Sequence, residues 1–303
     1  MTGSALITGI SGFTGKYMKV SLEDAGYEVF GTKLTSGSYP NIFQADLCDL
    51  ASMRNLIEKT MPNVVIHMGA VSNVDHDNIA DLYTTNILGS RNLLQALHEC
   101  NYPIRAIMMV SSANVYGNSV SDLLTEDSIS IPSNDYAISK LAMENVCSLW
   151  ADKLPIFIVR PFNYTGIGQS DDFLIPKIIN HYAKKKKFIA LGNLDVSREF
   201  NDVRQIAKLY TKLLAVNPTG KIINVCSGQA YNLDDIIRIM NDISGYEIKV
   251  EVDDRFVRKN EIKLLRGSNH LLQDLIGSVK FWPIVDTLRW MYEEAKIDDA
   301  NRH

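Results

Sequence analysis

The sequence predicts an α/β fold: a doubly wound parallel sheet with helices on both faces, and a smaller C-terminal α/β substrate-binding lobe. Short apolar runs alternate with segments of helical period through the first half of the chain, the order that a parallel sheet with crossover helices requires. After Pro161 that alternation gives way to a glycine-containing loop and shorter elements. With 303 residues, 46% of them hydrophobic, the chain can build a sizeable core for one large or two ordinary domains.

In order, residues 5–8, 27–32, 41–45, 64–67, 104–111 and 156–160 read as strands, being short apolar runs bounded by turn residues. Residues 14–26, 49–61, 79–100 and 135–151 carry the helical period between them. Beyond Pro161 come a helix near 173–187, a strand near 188–191, a helix over 203–216, a strand over 222–225 and two more helices. Residues 1–161, rejoined by 199–227, are expected to form the first domain, and 162–198 with 228–303 the second lobe. The lysine run at 184–187 closes a predicted helix, where cations suit the dipole, so a solvated helix end is its expected role.

A formal charge of −4 and a pI near 5.9 give no global basic field, which argues against nucleic acid or an anionic membrane as partner. The four cysteines lie far apart with no CxxC pair, against both a zinc site and a disulfide framework. The N-terminus has no basic n-region, and no run approaches the roughly 18 apolar residues of a spanning helix. A cytoplasmic, soluble protein without a bound metal is expected.

Directly after the first strand come Gly9, Gly12 and Gly15, followed by a helical pattern. Glycines let the backbone turn sharply and approach a pyrophosphate, and a helix N-terminus offers unpaired N–H groups. This strand, turn, helix order is that of Rossmann-type dinucleotide sites. An acidic residue at the end of the second strand would accept from the adenosine ribose, but Thr32 and Lys33 stand there. Lys33 suits a 2′-phosphate, favouring NADP(H), while a lysine in solvent leaves NAD possible. Asp46 fits either an adenine contact or a surface or capping role. Asn86 is a candidate organiser of the site, and His67, ending an apolar strand, reads as a satisfied core histidine.

Tyr136 and Lys140 stand one helical turn apart, so they share a helix face, and an ammonium near a phenol lowers its pKa toward the range of general acid–base work. Ser112 lies at the C-terminal end of a predicted core strand, where open α/β sheets bind ligands, and its hydroxyl can share a substrate oxygen with Tyr136. A strand-ending cap is the plainer alternative for Ser112.

Gly9-x-x-Gly12-x-x-Gly15, Asp46-Leu47, Ser112 and Tyr136-x-x-x-Lys140 together resemble the extended short-chain dehydrogenase/reductase family, over nearly the full chain. The resemblance implies cofactor contacts from Phe13, Thr14, Leu47, Met68, Gly69, Ala70 and Phe162 besides the glycines, and from Tyr136 and Lys140. It also implies that Lys140 binds the nicotinamide ribose, that the lobe after residue 161 binds a nucleotide sugar, and that the protein is a homodimer joined through helices 79–100 and 135–151.

The family's 4,6-dehydratases place an acidic pair after the catalytic Ser or Thr, where this chain has Ala113 and Asn114. Neither can protonate a leaving hydroxyl, which leaves reduction or epimerisation. Residues 160–169, 197–204 and 258–261 resemble the nucleotide-sugar 4-reductases, most closely those acting on GDP-4-keto-6-deoxy-D-mannose. That subgroup usually has His, Pro, Pro and Asp where this chain has Tyr164, Ile167, Lys259 and Glu261.

Arg198 and Arg258, in segments read as irregular, suit a diphosphate or else surface ion pairs, and Glu261 suits a ribose diol. Asn163 suits a sugar hydroxyl or a turn. Reduction of the C4 ketone of a nucleotide-linked 4-keto-6-deoxyhexose is the leading expectation. A 4-epimerase is the second, and a non-catalytic dinucleotide sensor, whose kind commonly lacks the Tyr and Lys, a distant third.

Overall fold

The computed structural model describes residues 3–35, 40–72, 78–100, 102–119, 121–253, 255 and 262–300. The first half alternates as expected: β1 (Gly3–Thr8), α1 (Phe13–Asp24), β2 (Tyr27–Lys33), β3 (Ile42–Gln44), α2 (Leu50–Thr60) and β4 (Val64–His67). Then come α3 (Ile79–Tyr83), a π-helical turn (Thr84–Gly89), α4 (Ser90–Glu99), β5 (Ala106–Val110), a 3₁₀ turn (Ala113–Tyr116), α5 (Asp135–Ser148) and β6 (Ile156–Pro161). The single helix expected over 79–100 is thus interrupted. The wide turn falls where the Asn86 side chain leaves the helix to bond a neighbouring loop.

The second half holds β7 (Tyr164–Thr165), α6 (Leu174–Ala183), β8 (Phe188–Leu191), β9 (Ser197–Glu199), β10 (Asn201–Asp202), α7 (Val203–Val216) and β11 (Ile222–Val225). It ends with β12 (Ala230–Asn232), α8 (Leu233–Ser244), β13 (Lys249–Val252), β14 (Leu264–Leu265), α9 (His270–Ile276) and α10 (Ile284–Ala300). Two closing helices were expected after 225, and the structure has three, with short strands between them. Runs of two to four residues carry too little periodicity to be read in advance.

The central sheet is parallel throughout, in the order β11-β6-β5-β4-β1-β2-β3. From β1 the chain winds outward through β2 and β3, returns to β4 on the other side and winds outward again. The crevice above the C-terminal ends of β1 and β4 is therefore the topological switch point, where such sheets bind ligands. Ser112 follows β5, the next strand along.

Both faces of the sheet are apolar and covered. On one, Met18 and Leu22 of α1, Ile206, Leu209 and Leu213 of α7 and Leu272 of α9 pack over Ala5, Ile7, Val64, Met108 and Val159. On the other, Met53 and Leu56 of α2, Leu93 and Leu97 of α4 and Met143 of α5 pack over Leu6, Val65, Ile107 and Ile158. A separate core joins α6, α8 and α10 with β8. A fourth cluster, with Ala113, Val115, Tyr116, Phe162, Cys226 and Leu265, lies by the 3₁₀ turn that follows Ser112.

Candidate active site

The turn after β1 has the shape its glycines allow. Gly9 adopts φ +76°, and a Cβ there would stand 2.9 Å from the Gly69 Cα. A Cβ on Gly15 would stand 2.4 Å from the Gly9 carbonyl oxygen. Gly12 caps α1 with no side-chain hydrogen bond, and the first turn holds no acidic residue, so the N–H groups of Phe13, Thr14 and Gly15 face outward from a partial positive charge. These features fit the diphosphate of a dinucleotide, and side chains at these positions would fill the space it needs.

Leu47 and Gly69 close the same turn from the other side. A Cβ on Gly69 would stand 2.9 Å from the Leu47 Cδ1 and 3.1 Å from the Thr8 Oγ1. Thr32 is buried and accepts the Gly9 N–H at 3.4 Å, so β2 is tied to the turn, and Lys33 follows half-exposed at the strand end. Asp46 is exposed, with Oδ1 accepting the Cys48 N–H at 2.8 Å, while Asp49 caps α2.

His67 is a satisfied core residue. The Thr8 Oγ1 accepts the N–H groups of Met68 and Gly69 at 3.2 and 3.0 Å, which uses both lone pairs and leaves its proton for His67 Nδ1 at 2.8 Å. His67 Nε2 then carries the ring proton and donates it to Ser90 Oγ at 2.8 Å, and Ser90 donates to the Asn86 carbonyl at 2.6 Å. Burial, then the Lys140 cation, pushes the imidazole down to about 3, so it is neutral at pH 7. Asn86 brackets Val71, accepting its N–H at 2.9 Å and donating to its carbonyl at 3.0 Å, and also donates to Ser139 Oγ. Ser139 in turn donates to the Tyr136 carbonyl. One chain of hydrogen bonds thus runs from the end of β1 to the start of α5, along the loop holding Met68, Gly69 and Ala70.

Asn134 caps α5 and accepts the Ala137 N–H at 2.8 Å, setting where the helix begins. Tyr136 and Lys140 lie on its buried face. Ser112 is both a cap and a neighbour of the phenol: its Oγ accepts the Asn114 N–H at 3.2 Å, and its hydroxyl is close enough to Tyr136 to oppose the upward shift of that phenol.

Lys140 departs from expectation. Its Nζ donates to the Val110 carbonyl at 2.8 Å, and it is not among the groups that shift Tyr136. Burial raises the Tyr136 phenol far above its ordinary value, the Tyr164 phenol adds to this, and Ser112 opposes it. The lowering expected from the Tyr136 and Lys140 spacing is absent because a shared helix face sets direction and not distance. The lysine's long stem carries its charge down to the β5 carbonyl. Lys140 itself is pushed down to about 8 by burial, against Cys147 and Glu144.

The Phe162 ring is buried in the cluster by the 3₁₀ turn, 6.2 Å from the Tyr116 ring, so its side chain packs in the core. Arg198 lies on β9, inside a three-stranded sheet with β12 and β14, and is largely buried with Nη1 donating to the Ser197 carbonyl at 2.9 Å. Asn163 is exposed, and its carbonyl accepts from Asn201. Arg258 and Glu261 lie outside the described residues.

Several residues escaped the sequence reading. Tyr164 stacks on Phe13 with ring centroids 6.1 Å apart and shares a 2.8 Å hydrogen bond with the Thr14 hydroxyl. Tyr210 of α7 is fully buried with no partner for its hydroxyl among the described residues, and burial pushes its phenol well above the ordinary value. Glu199 is fully buried, accepting from Ser227, Gly228 and Gly267, and so ties β9 to the turn after β11. No periodicity marks such groups. Among the described residues no three His, Cys, Asp or Glu side chains could hold a metal ion, and no helix is long and apolar enough to cross a membrane.

A model of the NAD dependent epimerase/dehydratase family matches residues 5–226. The chain is 31% identical to the GDP-6-deoxy-D-talose 4-dehydrogenase of Aggregatibacter actinomycetemcomitans, covering 97% of this chain and 98% of that protein. It is 32% identical to the GDP-6-deoxy-D-mannose reductase of Pseudomonas aeruginosa, covering 91% and 92%. Among solved structures, a Burkholderia cenocepacia protein provisionally assigned as an epimerase superposes with a TM-score of 0.92 at 43% identity, covering 98% and 99%. RMD from Pseudomonas aeruginosa, complexed with NADPH, does so at 0.86 and 30%, also covering 98% and 99%.

Proposed function

The chain belongs to the NAD dependent epimerase/dehydratase family, and from that premise we propose that it reduces the C4 ketone of a GDP-linked 4-keto-6-deoxyhexose with NADPH. The observation that carries the reading is the Ser112 hydroxyl near the Tyr136 phenol, together with an uncapped glycine turn after β1. Two relatives whose names describe oxidation or reduction of GDP-6-deoxyhexoses support the substrate class. Talose and mannose differ in configuration at C4, so the product's stereochemistry is left open.

A nicotinamide held there would supply the hydride that reaches C4. Tyr136 gives its proton to the oxygen that gains charge, and the Ser112 hydroxyl can donate to the same oxygen. Burial favours the neutral phenol, which is the form a proton donor needs. Ala113 and Asn114 bring no acid to the site, in keeping with reduction rather than dehydration. Gly9, Gly12 and Gly15 admit the diphosphate, Lys33 suits a 2′-phosphate and Lys140 the nicotinamide ribose. The homodimer expected through residues 79–100 and 135–151 has exposed apolar side chains at Ile79, Leu88 and Ile138 to bury.

Tyr136→Phe tests the reading: it should bind NADPH normally and lose about 100-fold or more in turnover of a GDP-4-keto-6-deoxyhexose. Near-normal reduction removes Tyr136 from the mechanism. A 4-epimerase is the second reading, favoured by the Burkholderia cenocepacia neighbour. An epimerase returns its hydride, so steady loss of NADPH absorbance with the keto sugar supports reduction, and none supports epimerisation.

A further inference from the structure

The loop over residues 68–71 leaves β4 at the switch point of the sheet, and its Gly69 lies against the glycine turn: a Cβ on Gly9 would stand 2.9 Å from the Gly69 Cα. Side chains from two other elements hold its N–H groups. Those of Met68 and Gly69 go to Thr8 Oγ1, at the end of β1, at 3.2 and 3.0 Å. That of Val71 goes to Asn86 Oδ1, in the π-helical turn, at 2.9 Å. His67 joins the two anchors. Its Nδ1 lies 2.8 Å from Thr8 Oγ1 and its Nε2 2.8 Å from Ser90 Oγ, whose own bond runs to the Asn86 carbonyl at 2.6 Å.

The ends of this chain fix its direction, because the loop N–H groups only donate and the Asn86 carbonyl only accepts. Thr8 therefore sends its one proton to Nδ1, and Nε2 keeps the ring proton for Ser90. We propose that His67 is a positioning residue for the dinucleotide: by accepting at Nδ1 it keeps the Thr8 hydroxyl turned so that both lone pairs serve Met68 and Gly69, and so holds Gly69 against the turn that seats the diphosphate. The proposal rests on the reading of that glycine turn as the cofactor's seat. Thr8, His67 and Ser90 are all buried. Without an acceptor at Nδ1, the Thr8 hydroxyl turns its proton elsewhere and gives up one of the two N–H groups, at the cost of a buried donor left unpaired.

A histidine kept only to fill the core would need the volume of the ring and not its polarity. Asparagine and glutamine divide the ring's two polar functions between them. The asparagine amide oxygen sits where Nδ1 sits, one bond from Cγ, so it accepts from Thr8 and does not reach Ser90. The glutamine amide nitrogen sits where Nε2 sits, so it donates to Ser90 and leaves Thr8 without its acceptor. Packing alone ranks the two the other way, since asparagine leaves the larger gap.

NADPH dissociation constants by fluorescence titration, and urea unfolding midpoints, are measured at neutral pH for wild type, His67→Asn, His67→Gln, Thr8→Ser and Thr8→Val. His67→Gln and Thr8→Val are expected to weaken NADPH binding about tenfold, and His67→Asn and Thr8→Ser about threefold or less, although His67→Asn unfolds in less urea than His67→Gln. Binding by His67→Asn as weak as that by His67→Gln, or weaker, means that the ring acts by packing, and overturns the proposal. Should neither histidine variant fold, the threonine pair decides. Weak binding by Thr8→Val beside near-normal binding by Thr8→Ser supports the proposal, and wild-type affinity in Thr8→Val overturns it. A wild-type chain that binds neither NADPH nor NADH overturns the reading of the glycine turn itself, whereas equal losses in the two histidine variants of a chain that binds NADPH overturn the role of His67 alone.

Discussion

The Tyr164 phenol and the Thr14 hydroxyl share a 2.8 Å hydrogen bond that joins the segment after β6 to the second residue of α1. Removing it frees the side chain nearest the uncapped helix end while the Phe13 stack remains. Tyr164→Phe is expected to weaken NADPH binding about threefold to tenfold, the range of one lost hydrogen bond, without changing the fold. Fluorescence titration measures it, and an unchanged dissociation constant rules the link out as a binding element.

Lys140 predicts a stability trend with a definite sign. Its pKa is about 8 in the fold against 10.5 for the free side chain, so between these values the unfolded chain binds more protons and stability rises with pH. The penalty for burying the ammonium is fully present below pH 8. Lys140→Met should therefore be more stable than wild type at pH 7, by about 1–2 kcal/mol once the lost bond to Val110 is counted, and should lose the rise between pH 8 and 10. Urea unfolding at pH 7 and 9.5 gives both numbers.

His67 acts in the acid range. Its folded value of about 3 lies below the ordinary 6.5, so as pH falls through 6.5 the unfolded chain takes up a proton that the folded chain refuses. Stability from this residue is intact above pH 6.5 and falls by about 2 kcal/mol at pH 5. Comparing wild type with His67→Gln between pH 5 and 7 isolates the slope, and parallel curves would show that the histidine does not contribute it.

Lys33 decides between cofactors if its charge meets a 2′-phosphate. Lys33→Ala should raise the KM for NADPH about tenfold and leave that for NADH nearly unchanged. Equal effects on the two would place Lys33 away from the phosphate.

Much of this was legible in residue order. Apolar runs marked β1, β2, β4, β5 and β6 because strands buried on both faces are apolar at nearly every position, and α1, α2 and α5 were marked by their period. The short strands after residue 161 were not, and neither was the π-helical turn that lets Asn86 reach Val71. Arg198 read as part of a loop because a three-residue strand has no repeat to recognise.

The sequence by itself determined a parallel sheet opening on a glycine turn, and a serine, a tyrosine and a lysine brought near one strand end, since spacing and apolar period act locally. Only the tertiary structure decided where the lysine's charge goes and which ring nitrogen of His67 holds the proton. Those depend on desolvation and on partners more than 20 residues away, set when β1, β4, β5, α4 and α5 are brought together.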